Sequence, residues 1–200
     1  MPMPTFLDKL VDQMMLWSMR GSETGRIDGI GLADFRGHGS SFTQVIQSSL
    51  RLIQEQDSRR YARVKQHISW IVNQVNSALG AQYQPRIRTL FLQFDEARDL
   101  QPDVVIAFYA CILIHEATHG VMESRGIGMS TDNRVRIERL CTSEQNRFAA
   151  RLSAHDPERY PPALLDFHDD ERYWASEWKK GGGERAISFI KRSLADRKTG

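Results

Sequence analysis

The stretch Val104-Val105-Ile106-Ala107-Phe108-Tyr109-Ala110-Cys111-Ile112-Leu113-Ile114-His115-Glu116-Ala117-Thr118-His119 decides how this chain folds. Asp103 opens a helix whose apolar residues lie on every side, and a helix of that kind is central and buried. The apolar run from Val104 to Ile114 is much shorter than the roughly 20 residues that a membrane span needs. It leads directly into two histidines four positions apart.

Residues four apart on a helix share one face, one turn removed from each other, so His115 and His119 can aim both imidazoles at one point. At metal–nitrogen distances of about 2.0–2.1 Å that point suits zinc. Glu116 is rotated off the pair and can reach a water at the metal without ligating it. Two neutral histidines then hold the ion while a carboxylate takes a proton from water. The competing reading is a pair of core histidines satisfied by hydrogen bonds, with Glu116 solvated.

A catalytic zinc site takes three protein ligands and leaves the fourth position for water. The histidine that metzincins place six residues after the second ligand is Arg125 here, and Met122 stands where their glycine belongs, so that pattern is absent. A carboxylate from the next helix remains. Glu138 follows His119 by 19 residues, enough for a turn at Gly126–Gly128 and an antiparallel return. Glu144 is the rival, aligned with Ile137, Cys141 and Phe148 on an apolar face. Cys111, one turn before His115, and Cys141 both read as small core residues. If they face each other across the site, a sulfur-ligated structural zinc is the alternative chemistry.

His115-Glu116-Ala117-Thr118-His119 followed by Arg136-Ile137-Glu138-Arg139-Leu140-Cys141 resembles the HExxH…ExxA/C arrangement of gluzincin metallopeptidases. Asn146-Arg147-Phe148-Ala149-Ala150-Arg151-Leu152 is similar to small bacterial members of the repressor-cleaving ImmA/IrrE type. The resemblance spans about Val104 to Leu152. It implies Glu138 as third ligand to one zinc ion per chain, Glu116 as general base and then general acid, and a peptide or protein substrate. It also implies an α+β, predominantly helical zincin-like fold with a small sheet beside the HExxH helix, whose edge strand, at Thr89–Gln93, lines the cleft.

Around this core, Phe6, Leu7, Leu10, Val11, Met14 and Met15 recur at helical spacing and predict an N-terminal amphipathic helix. Six glycines between Gly21 and Ser40 predict a long loop, either a cover over the site or a connector with a short strand near Ile27–Phe35. Helices are expected over Ser41–Glu55 and Ser58–Leu79, the second capped by Gly80. Ile87–Phe94 is the strand candidate, in a sheet of two or three strands. Ser130, Thr131 and Asp132 offer caps for the helix that carries Glu138. His155–Asp170 reads as irregular, and short helices follow near Trp174 and over Glu184–Asp196. One domain is expected over residues 1–200, with a helical N-terminal region over residues 1–80, a metal-site core over residues 86–155 and C-terminal helices over residues 156–200.

The 27 basic and 25 acidic side chains leave a net charge of +2, too little to argue for nucleic acid or an anionic membrane as a partner. The basic run Arg51, Arg59, Arg60, Arg63 and Lys65 reads as a solvated helix face. Two cysteines do not make a disulfide framework, and Asp8 and Asp12 interrupt any signal-peptide pattern, so a cytoplasmic protein is expected. His155, Tyr160, His168 and Tyr173 are candidates to stabilise an oxyanion, and Asp166, Asp169 and Asp170 to orient the histidines. Besides a peptidase, three readings stay open: a zinc hydrolase of another amide, a regulatory or toxin-like metalloprotein acting on one partner, and a non-catalytic zinc-binding module.

Overall fold

A computed structural model describes residues 5–74, 81–94, 100–128, 130, 133–162 and 165. The elements run α1 (Phe6–Gly21), β1 (Glu23–Ile27), β2 (Ile30–Asp34), α2 (Gly39–Gln56), α3 (Ser58–His67), β3 (Trp70–Asn73), β4 (Ala81–Gln84), a 3-10 turn (Pro85–Ile87), β5 (Thr89–Leu92), α4 (Pro102–Ser124) and α5 (Arg134–His155). The α+β, mostly helical expectation holds. The sheet is larger than expected, with five strands in the order β1-β2-β3-β5-β4. Its three central strands run parallel, and β1 and β4 pair antiparallel at the two edges.

Three expectations are corrected here for identifiable reasons. The glycine-rich segment is a β-hairpin and not a long loop, and the short strand expected near Ile27–Phe35 is present as β2. Asp28 and Gly29 both take positive φ (47° and 89°), which is what a two-residue turn between right-twisted strands requires. The helix expected over Ser58–Leu79 stops at His67, and Trp70–Asn73 is a strand. All four residues of β3 are buried inside a parallel sheet, where a continuous run of branched and aromatic side chains is the normal pattern. Gly80 and the rest of 75–80 lie outside the described residues, as do the C-terminal helices expected near Trp174 and over Glu184–Asp196. Thr89–Leu92 is also not an edge: it is paired on both sides, and the edge beside α4 is β4.

The two faces of the sheet are covered unequally. Leu32, Ile71, Leu90 and Leu92 join the main core with α2, α3, α4 and α5, while Ala33, Trp70, Val72 and Phe91 face α1 through Met15, Leu16 and Met19. Helix α4 is central: it packs on α2, α3, α5 and β4. By length and composition it could cross a membrane, but 67% of its most apolar window is buried inside the protein. Arg88 takes the left-handed conformation before β5, and its guanidinium donates to the carbonyls of Lys65 and Gln66 at the end of α3. A cation there satisfies orphan carbonyls and complements the helix dipole.

Gly120 follows the second histidine, and a β-carbon there would sit 2.6 Å from Cβ of His67 and 3.1 Å from the Tyr83 hydroxyl. Glycine is what lets α4 approach α3 and β4 so closely. An exposed helical Gly→Ala change stabilises by about 1 kcal/mol, but overpacking at a tight contact costs about 1–3 kcal/mol. Gly120→Ala is therefore expected to lower the thermal midpoint, read by circular dichroism, where helix propensity alone would raise it.

Candidate metal centre

His115 and His119 project from α4 towards α5 with ring centroids 5.1 Å apart. From α5 the carboxylate of Glu138 enters between them: its Oε2 lies 3.3 Å from Nε2 of His115 and 3.5 Å from Nε2 of His119. The other oxygen, Oε1, faces the Arg134 guanidinium at 3.6 Å. Cys141, fully buried one turn further along α5, places Sγ within 4.8 Å of ring nitrogens of both histidines. His115, His119 and Cys141 thus form a group that can hold one metal ion. Cys111 remains a buried core residue outside it, with burial pushing its thiol up to about 12.

Nδ1 of His115 lies 2.9 Å from Oε1 of Gln145, which is also buried. An amide oxygen can only accept, so the ring donates from Nδ1 and leaves Nε2, the atom a metal would take, facing Glu138. Metal-binding histidines are normally fixed by such a bond. The aspartates expected to serve here lie outside the described residues, and the motif-based reading passes over Gln145. A signal for it exists all the same: Arg134, Glu138, Cys141 and Gln145 sit at i, i+4, i+7 and i+11, one face of α5.

Glu144, the rival carboxylate, points the other way. It accepts from Arg60 at 3.1 Å, Arg63 at 3.2 Å and Arg147 at 2.8 Å. Asp57 joins this network through Arg60 and Arg151. The basic run on α3 is thus only partly a solvated face, because Arg60 and Arg63 bind α3 to α5. Glu116 is buried next to the histidines and has no hydrogen-bond or ion-pair partner among the described residues. Of the oxyanion candidates, Tyr160 is a core residue, and its backbone carbonyl accepts from Ser153. His155 is exposed 14 residues beyond Cys141, roughly 20 Å along the helix axis. His168 and Tyr173 lie outside the described residues.

The electrostatics follow from this packing. Burial raises the Glu138 carboxyl, but hydrogen bonds and charge from His115 and His119 outweigh it and hold the group well below the carboxylate range. Burial also opposes protonation of His115, yet the Glu138 bond and the charges of Glu116 and Glu138 raise it above its ordinary value. The Cys141 thiol is pushed up by burial and then by the charges of Glu138, Glu116 and Glu144. Comparison with known protein families, with curated proteins and with solved structures gives no match to this chain.

Two outcomes follow. His115, raised above 6.5, lends stability that is complete below that pH and lost as pH climbs through the raised value. Glu138, depressed below 4.5, lends stability that is present above that pH and lost only in strong acid. The metal-free chain should then lose thermal stability as pH rises above 6.5, and Glu138→Gln should flatten that slope in a melting series. Gln145→Ala should keep the fold but weaken metal binding by about 10–100-fold in a chelator competition.

Proposed function

We propose that the chain is a zinc-dependent metallopeptidase in which His115, His119 and Glu138 bind one zinc ion and Glu116 is the general base. The observation that carries this is the donor spacing. Donors about 2.0–2.1 Å from a tetrahedral centre lie about 3.3–3.4 Å apart, and the carboxylate oxygen here is 3.3 and 3.5 Å from the two ring nitrogens. Two imidazoles and a carboxylate are also a donor set that suits zinc with one position left open.

Zinc held by these residues would supply a Lewis acid able to lower the pKa of water to about 7 and to polarise a carbonyl. The remaining roles fall to the chain. Gln145 holds His115 in the tautomer that presents Nε2. Arg134 holds one oxygen of Glu138 and leaves the other for the ligand position. Glu116 takes a proton from water as the oxygen attacks the carbonyl carbon. It then returns the proton to the amide nitrogen as the C–N bond breaks. A carboxylate with no competing partner among the described residues is suited to that exchange. Among the described residues nothing pairs with the outer edge of β4, which runs beside α4 and can pair with an extended peptide. In the Tyr83 side chain of that strand, the hydroxyl donates to the His67 carbonyl at 2.9 Å.

Cys141 favours one second reading. A fourth protein donor closes the site, and a closed tetrahedral zinc is structural. Metal content and hydrolysis of a peptide library, both read by mass spectrometry, test the two together. Wild type should carry about one zinc, His115→Ala and Glu138→Ala should lose it, and Glu144→Ala should keep it. Glu116→Gln should retain the metal and lose cleavage by about 10²–10⁴-fold. A thiolate-to-metal charge-transfer band in the cobalt-substituted protein, with no cleavage by wild type, would establish the structural site instead. Failure of wild type to take up added zinc would overturn both.

A further inference from the structure

The first helix is amphipathic, as its sequence predicts, but its apolar side faces away from the protein. The side turned inwards carries Asp8 and Asp12, both paired with Arg86, at 3.0 Å and 2.7 Å, and Met15, Leu16 and Met19 against the sheet. Thr5 and Asp8 close a capping box that fixes the start of the helix. The outward stripe is Phe6, Leu7, Leu10, Val11, Met14 and Trp17, all exposed, with Phe6 80% and Trp17 79% open to solvent. The ion pairs hold this orientation: turning the stripe inwards would break both bonds to Arg86 and withdraw Met19 from its pocket.

We infer that this face of α1 is a homodimer interface, with a second copy of the chain packing its own α1 antiparallel across the stripe. Leu7, Leu10, Met14 and Trp17 repeat at spacings of three, four and three, the seam that a partner helix fills. The six side chains expose on the order of 700 Å², beyond the few hundred Å² usual for a patch on a monomer. A stable interface covers about 800 Å² on each partner, so the stripe exposes nearly as much surface as a partner copy would need to cover. Antiparallel pairing sets Leu10 against the partner's Met14 and the Phe6–Leu7 end against the partner's Trp17. It also sets the exposed cations Lys9 and Arg20 at different heights from those of the second copy, where a parallel pairing would place them level.

Sedimentation velocity of the full chain across micromolar concentrations tests this. A species of twice the 23.0 kDa chain mass is expected. Leu10→Glu with Met14→Glu should weaken dimerisation by at least about 100-fold, as loss of central interface residues does. Circular dichroism and the melting midpoint of dilute protein should be unchanged, because both positions are exposed in the monomer. A wild type that stays monomeric throughout overturns the inference. A dimer that survives both substitutions in a folded protein also overturns it, by placing the interface elsewhere. So does a monomer that co-sediments with phosphatidylserine vesicles through the same residues, because the face would then belong to a lipid surface.

Discussion

A helix with no polar side has to be enclosed, and α4 is enclosed by four neighbours: α2, α3, α5 and β4. Its last turns break the apolar pattern with His115, Glu116 and His119, which go into the same enclosure. Polar groups placed there need partners, because an unsatisfied buried group costs several times what a satisfied hydrogen bond contributes. For the two histidines the partners come from one face of α5. The metal-binding group is therefore a product of core formation: the packing that hides α4 also presents Glu138, Cys141 and Gln145 to its histidines.

Three carboxylates near this junction show how environment separates residues of one type. Glu138 lies between two imidazoles, Glu144 is taken up by arginines from α3 and its own helix, and Glu116 has no partner among the described residues. Only Glu138 approaches both histidines. Spacing along the chain leaves Glu138 and Glu144 as alternatives, because both lie on faces of α5 that pack. The arginines that claim Glu144 come from α3, and that contact spans more than 80 residues of sequence.

How legible the fold is depends on whether the signal is local. The α4 motif, α2 and α5 are readable because helical periodicity and the four-residue histidine spacing are contained in short windows. The β1–β2 hairpin is readable too, since Ile27-Asp28-Gly29-Ile30 is a strong two-residue turn signal, but the surrounding glycines outweigh it. Strand β3 is not readable: Ile68, Ile71 and Val72 fit helical spacing as well as a buried strand, and only pairing with β2 and β5 decides between them. The outward direction of the α1 stripe is hidden as well. Periodicity shows that a helix has an apolar side, and a distant arginine, Arg86, determines where that side points.

The ion pairs between α3 and α5 gain a second meaning from their position. Those made by the exposed Arg63 and Arg151 contribute little to stability, about 0–1 kcal/mol each, and those of Arg60 are more buried. Together they fix an axial and rotational setting. Sliding α5 by one turn, about 5.4 Å, would carry Glu138 out from between the histidines and bring Arg134 or Cys141 to their level. The same slide would pull Glu144 away from Arg60 and Arg63, and Arg151 away from Asp57. The arginine cluster therefore acts as an index mark on the far side of the helix, matching the thread of α5 to the groups on α4.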